Sequence, residues 1–174
     1  MAVYAFGKRV PKVDPTAWVH PLADVTGEVV LGPKVYVGSG AVVRGDYGTI
    51  LVGAGTAVEE NVTIHARPGG TTLIEDDVTI GHGAVIHNAT LRAGCVIGMR
   101  AVVTDYAEVG RGAIVGEGAV VKARSKVSPG AVAVGVPAKE VGQVKPEHAE
   151  FWKKVKGLYQ DLAARYKVEL RQLE

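Results

Sequence analysis

Three histidines in two short segments are the residues of this sequence whose types best suit chemistry. The segment IGHGAVIH places His82 and His87 five residues apart, and His65 ends the segment NVTIH. Histidines that share a metal from one helix lie three or four residues apart, so this spacing does not indicate a helical site. Three neutral imidazoles with an open fourth position can bind Zn²⁺ and make a coordinated water acidic near neutral pH. The elements that would bring these imidazoles together decide whether such a site exists.

A six-residue repeat of aliphatic residues runs through most of the chain. It is interrupted by the segments RGDYGT and ARPGGTTL, slips by one residue at Leu91 and ends near Pro129. The marker residues are Val19, Val25, Leu31, Val37, Val43, Val52, Val58, Ile64, Ile74, Ile80, Ile86, Leu91, Ile97, Val103, Val109, Val115, Val121 and Val127. This period predicts an all-β fold, a parallel β-helix in which three hexapeptides close each coil of a triangular prism.

Counting three markers to a coil stacks three polar residues on one edge of the predicted prism. Arg44, His65 and His87 each follow a marker of the same column, so their side chains form an outward-pointing row. Successive coils lie roughly 4.8 Å apart, which lets the two neighbouring imidazoles bind one metal.

His82 follows its marker by two residues and lies on the preceding face, from which it does not reach the other two histidines of its own chain. A neighbouring prism in a three-fold trimer would bring its own His82 against the row. The alternative is that these are ordinary exposed histidines. His20 and His148 lie off the row and are interpreted as solvated or capping residues.

The chain divides into a predicted β-helix domain, residues 1–140, and a C-terminal amphipathic helix within residues 141–174. Pro146 suits the start of this helix. Its apolar residues, spaced by three and four, are Trp152, Val155, Tyr159, Leu162, Tyr166 and Leu170. This stripe is expected to pack against the prism or a neighbouring subunit.

Composition and charge exclude several classes of function. A net charge of +2 and the lack of a basic run argue against nucleic-acid binding. No stretch approaches the roughly 20 apolar residues that span a membrane, and the N-terminal segment does not look like a signal peptide. The one cysteine, Cys95, excludes an intramolecular disulfide. We expect it to be a small buried side chain of a cytoplasmic protein.

Several segments together resemble the γ-class carbonic anhydrases and their relatives, which are left-handed β-helix trimers. They are VVRGD (42–46), NVTIH (61–65), IGHGAVIH (80–87), IGM (97–99) and VGVPAK (134–139). The resemblance implies a homotrimeric lyase that interconverts CO₂ and bicarbonate through metal-bound hydroxide. It implies that His65 and His87 bind the metal from one subunit and His82 from the next. Zn²⁺, Fe²⁺ and Co²⁺ all suit such a ligand set.

The resemblance also assigns roles to residues around the metal. Arg44 and Asp46 correspond to an ion pair between subunits, although Arg44 at the head of the histidine row could instead attract bicarbonate. Tyr159 matches a tyrosine that lines the site from the C-terminal helix, with ordinary packing as the alternative.

The chain departs from the family pattern in the segment TAVEE (56–60), where relatives often read TNIQD. Glu59 replaces the glutamine thought to orient hydroxide, Glu60 replaces an aspartate, and Ala57 replaces an asparagine. Glu59 could act as orienter or base, or could over-stabilise the metal and slow turnover. An acidic proton-shuttle loop is also missing. A catalytically weak relative (a metal-binding accessory protein or a thioesterase-like hydrolase) and a hexapeptide acyltransferase are therefore the alternative functions.

Overall fold

The computed structural model describes residues 3–173 and shows a left-handed parallel β-helix followed by one α-helix. Parallel strands stack into three faces, and the chain visits the third, first and second face in turn. This architecture confirms the fold predicted from the hexapeptide repeat.

Each face is a ladder of short strands from successive coils. The first face contains β1 (Val3–Tyr4), the start of β4 (Asp24–Leu31), the start of β6 (Val42–Val52), β8 (Thr63–His65), β11 (Val85–His87), β14 (Val102–Val103) and β17 (Val120–Val121). The second contains β2 (Lys12–Val13), the ends of β4 and β6, β9 (Thr71–Ile74), β12 (Thr90–Leu91), β15 (Glu108–Val109) and β18 (Lys126–Val127). The third contains β3 (Trp18–Val19), β5 (Tyr36–Val37), β7 (Ala57–Val58), β10 (Thr79–Ile80), β13 (Val96–Ile97), β16 (Ile114–Val115), β19 (Ala131–Val134) and the antiparallel β20 (Lys139–Gln143).

The marker residues point into the prism and stack as columns. On the first face Val43 pairs in register with Ile64, and Ile64 with Ile86. All three are fully buried, as is Cys95, which confirms the expectation of a buried thiol. Valine and isoleucine suit this position because the narrow interior favours β-branched side chains on a flat strand.

The two interruptions of the repeat have different structures. The segment RGDYGT lies inside β6, a continuous strand of 11 residues that bends from the first face to the second. Its neighbour β4 bends with it, and a Cβ on Gly27, whose φ is +83°, would collide with the carbonyl of Gly45. The segment ARPGGTTL forms a turn at 66–70 followed by β9.

The expectation that the period ends near Pro129 is wrong. Strand β19 continues the third face, with Ala133 paired in register with Val115 and buried in the column. Ala133 lies six residues after Val127, but alanine was not among the marker residues.

The α-helix, α1 (Pro146–Glu169), packs against the third face and has Pro146 as its first residue, as predicted. Tyr159, Leu162 and Tyr166 of the apolar stripe contact a cluster that contains Trp18 and Tyr36. The Tyr166 ring stacks on Trp18 with ring centroids 4.6 Å apart.

Leu170 lies just after the last helical residue, so its predicted place in the helix is wrong. Its side chain is 44% exposed and lines a groove with Trp18 and Tyr166. The predicted boundary at residue 140 falls within β20, and the division into two domains stays a prediction. Within residues 3–173, no helix combines the length and the apolar character required to cross a bilayer.

Replacing Ile97 with alanine tests whether the inward columns stabilise the prism. Ile97 is fully buried and stacks between Ile80 and Val115. The Ile97→Ala cavity is expected to lower the free energy of unfolding by about 2–5 kcal/mol. Chemical denaturation at fixed protein concentration measures it, with the outward-facing Val102→Ala as the matched control. Equal losses in both variants would contradict this account of the core.

Candidate metal centre

Two imidazoles meet at the edge where the first face turns into the second. His65 ends β8 and His87 ends β11, and the two residues pair in register one coil apart. Their ring centroids are 5.3 Å apart. Two imidazoles that share one Zn²⁺ at about 2.1 Å have ring centroids on the order of 5 Å apart, so the spacing fits a common metal ion.

Each of these imidazoles is held by a carboxylate at one ring nitrogen. His65 Nε2 lies 2.9 Å from Oδ1 of Asp46, and His87 Nδ1 lies 2.8 Å from Oδ1 of Asp105. An ionised carboxylate only accepts hydrogen bonds, so these two nitrogens carry the protons. In the neutral imidazoles, the lone pairs are then on Nδ1 of His65 and Nε2 of His87. Ligand histidines in metal sites typically show such a carboxylate contact at the other nitrogen.

Asp105 is a site residue that the sequence reasoning missed. Arg67 donates two hydrogen bonds to its carboxylate, at 2.7 and 2.8 Å, and these contacts lower the pKa of Asp105 to about 2. Asp105 therefore stays ionised and can fix the orientation of His87. The sequence does contain a signal for Asp105. Counting one coil on from Asn88, the residue that follows His87, leads to Asp105.

Arg44 heads the row, as the repeat predicted, because it pairs in register with His65. Its guanidinium forms an ion pair with Asp46 of the same chain. Burial opposes ionisation of Asp46, but the hydrogen bonds from His65 and Arg44 outweigh it and lower the pKa of Asp46. Arg44 and Asp46 thus support His65 within one chain, while the ion pair between subunits stays a prediction.

His82 lies at a different edge, where the third face turns into the first. Its Nε2 is 3.1 Å from Oε2 of Glu59 and its Nδ1 is 2.8 Å from Oε2 of Glu60. The backbone N–H of His82 also donates to Glu59, which is only 5% exposed. Burial raises the pKa of Glu59, whereas the neighbouring His82 imidazole and the contact with Tyr159 oppose this increase.

Two tyrosines hold the carboxylates around His82. The Tyr36 hydroxyl donates to Oε1 of Glu60 at 2.8 Å, and the Tyr159 hydroxyl donates to Glu59. Tyr159 also packs against Tyr36, with ring centroids 5.2 Å apart. It therefore combines the two alternatives that the sequence left open, packing and contact with a candidate site residue. Its catalytic role stays a prediction.

The candidate ligands therefore lie on two edges of one prism, and a single chain does not assemble them. Across residues 3–173, no three His, Cys, Asp or Glu side chains gather closely enough to hold a metal ion. A metal ion held by His65 and His87 would have to take a third ligand from outside the chain. His82 at the other edge is the histidine that a neighbouring copy could supply.

The remaining residues singled out in the sequence are His20, His148 and Ala57. His20 accepts a hydrogen bond from the backbone N–H of Leu22 through Nδ1, at 3.0 Å, so it caps a turn. His148 is exposed at the start of α1. Ala57 is buried on the third face, in register with Tyr36 and Thr79.

Comparison with known proteins identifies close relatives over the whole chain. The chain is 35% identical to the carnitine operon protein CaiE of Escherichia coli K12 over 175 residues, which cover 100% of this chain and 89% of CaiE. It is also 35% identical to CaiE of Proteus sp. over 166 residues, which cover 95% and 84% of the two chains. No protein-family model matches the chain.

Two solved structures share the fold closely. One is a Bacillus cereus protein described as a candidate acetyltransferase, with a TM-score of 0.93, 29% identity, and coverage of 95% of this chain and 96% of that one. The other is a hexapeptide transferase family protein from Anaplasma phagocytophilum, with a TM-score of 0.91, 30% identity, and coverage of 95% and 98%.

The contact between Arg67 and Asp105 predicts a measurable pKa. In metal-free protein, Asp105 should titrate at about 2, and Arg67→Gln should move this pKa towards the ordinary value of about 3.9. The pKa of Asp105 is lower in the folded protein than in the unfolded chain. Its contribution to the free energy of unfolding is therefore complete above about pH 4 and is lost as the pH falls through about 2. Carboxyl NMR titration measures this pKa, and Lys8→Gln, at an exposed site near the N-terminus, is the control. An unchanged pKa in Arg67→Gln would contradict the assignment.

Proposed function

The chain belongs to the hexapeptide-repeat family of the carnitine operon protein CaiE, and from this premise we propose that it is a metal-dependent carbonic anhydrase. The reaction is the reversible hydration of CO₂ to bicarbonate, at a site shared between the subunits of a homotrimer. The observation that best supports this function is the pair His65 and His87, 5.3 Å apart, each held by a carboxylate at one nitrogen.

A three-fold trimer completes this site because the two edges are complementary. The first edge offers two imidazole lone pairs, and the second offers the imidazole of His82. A heterologous contact that closes after three copies places each edge against the other, so every interface carries one site. The metal would be Zn²⁺, Fe²⁺ or Co²⁺, held by His65, His87 and the partner subunit's His82. When bound, such a metal supplies Lewis acidity that lowers the pKa of water towards neutrality.

The hydrogen bonds around His82 indicate which nitrogen would become the ligand. Glu60 is anchored by Tyr36, so its contact holds the proton on Nδ1 of His82. Nε2 faces the carboxylate of Glu59 and would lose its proton to solvent before it could bind the metal. Metal binding would therefore release the carboxylate of Glu59 from His82 Nε2.

Glu59 would then orient water and accept its proton. Burial raises the pKa of Glu59, so Oε2 is a stronger base than an exposed carboxylate, and the Tyr159 hydroxyl keeps the group in place. Arg44 at the end of the row lies where its positive charge can attract bicarbonate while it also holds Asp46. The segment 66–70, which follows His65, has no carboxylate to carry the proton to solvent. Proton export would depend on external buffer.

Acyl transfer is the second candidate function. It is favoured by the two solved structures of high structural similarity, whose descriptions name an acetyltransferase and a transferase family. Such chemistry needs a histidine base beside a cleft for the acyl donor, whereas His65 and His87 are paired with each other and His82 is held between carboxylates. A weakly active relative, with an accessory role or a thioesterase-like activity, is the remaining alternative.

Stopped-flow CO₂ hydration tests the function directly. Protein reconstituted anaerobically with Zn²⁺ or, separately, Fe²⁺ should show a metal-dependent rate that increases with buffer concentration. His87→Ala should abolish it because the pair is broken, while His148→Ala, an exposed histidine outside both edges, should not. Metallated trimer with no rate would overturn the proposal, and acetyl transfer from acetyl-CoA by metal-free protein would favour the second candidate.

The oligomeric state tests the shared site separately. Light scattering at micromolar concentration should give the mass of three chains. Metal titration should give one ion per chain in the wild type and a loss of affinity of at least 10-fold in His82→Ala. A monomer that binds the metal as tightly as expected for the trimer would contradict a site between subunits.

A further inference from the structure

A half-buried lysine of α1 faces the third face of the prism. Lys156 of α1 directs its Nζ towards β10 and β13, where it donates to Oγ1 of Thr79 at 3.2 Å and to the carbonyl of Cys95 at 3.4 Å. Both acceptors are neutral. Within residues 3–173, no carboxylate oxygen lies within 4.0 Å of this Nζ, so the cation has no ion-pair partner there.

The same lysine lines a groove between α1 and the third face. Towards its C-terminal end α1 packs closely, with Tyr166 on Trp18, but towards its start it leaves a groove of about 440 Å³. Val96 and Ile114 contribute to one side of this groove, and Lys153 of α1 to the other. The groove is large enough for several small molecules.

The surroundings of Lys156 favour its neutral amine form more strongly than the surroundings of an exposed lysine do. Burial lowers the pKa of Lys156 to about 8, although Cys95 and Asp77 act in the opposite direction. The thiol of Cys95 is fully buried, and burial raises its pKa to about 12, so it does not compete as a nucleophile. Lys153, which is exposed and three residues earlier on the helix, lines the same groove. A desolvated lysine amine is a nucleophile for carbonyl carbons.

We propose that Lys156 is a carbamylation site, at which its amine reacts reversibly with CO₂ that enters the groove. The nitrogen lone pair attacks the carbon of CO₂, an N–C bond forms, and one C=O π bond opens onto oxygen. The ammonium gives up one proton to solvent to free the lone pair, and the adduct gives up a second from nitrogen, so an ammonium cation is replaced by a carbamate anion and two protons are released. Lys153 then supplies the opposite charge from the preceding turn. The inference does not rest on the metal centre, since neither histidine edge contributes to this groove.

Chemical trapping tests the site on the full-length protein without metal. The protein is equilibrated at pH 8 with ¹³C-labelled CO₂ and bicarbonate, alkylated with triethyloxonium to fix any carbamate as its ester, digested and analysed by mass spectrometry. The trapped ester is expected on Lys156. Lys154, an exposed lysine of the same helix, is the internal control and should be labelled at least 10-fold less.

Three variants sharpen the result. Lys156→Arg keeps the charge and should remove the ester from this position, and Lys153→Gln should lower the labelling of Lys156 several-fold. His87→Ala should label like the wild type, which separates this site from the metal centre. Labelling of Lys156 no greater than that of Lys154, or no ester on Lys156 in a folded wild-type protein by ¹³C NMR and mass spectrometry, would overturn the proposal.

Discussion

The in-register hydrogen bonding of one coil on the next is the constraint on which the rest of the structure depends. It places each residue of a strand directly over its counterpart, so that Val43, Ile64 and Ile86 form one inward column and Arg44, His65 and His87 one outward row. Because the strands are short and the corners sharp, side chains on different edges of the prism do not approach each other. The geometry that brings two histidines together therefore keeps His82 apart. A site that needs all three requires another copy of the chain.

The two edges of the prism that carry the histidines also differ in their charged residues. On the first edge, Asp46 and Asp105 are kept ionised by arginines, and each fixes one ring nitrogen of a histidine. On the second, Glu59 is buried and burial raises its pKa. One edge thus provides oriented imidazoles, and the other provides an imidazole together with a basic carboxylate. This division of roles is what a site built between two subunits needs.

The sequence predicted the fold and the histidine row well because both depend on a strict period. Counting coils does not show what side chains contact across a corner, so Asp105 and the bond from Tyr36 to Glu60 were missed. The continuation through Ala133 was missed because alanine carries little hydrophobic signal, although burial in the column requires only a small inward residue. Leu170 fitted the spacing of the helix but lies just after its last residue, because the spacing of apolar residues does not show where a helix ends. The period of the sequence predicts the course of the backbone, whereas the end of a helix and the contacts between polar side chains depend on local geometry that the period does not show.

A complementation experiment tests the shared site most directly. His82→Ala and His87→Ala chains are each incapable of forming a complete site alone, but a mixed trimer places the intact His65 and His87 of one chain against the intact His82 of another. Unfolding the two variants together, refolding them and measuring tightly bound metal should recover one complete site per mixed trimer, with none in either variant alone. Mixed trimers, shown by mass spectrometry to contain both chains, that bind no more metal than the separate variants would contradict a centre shared between subunits.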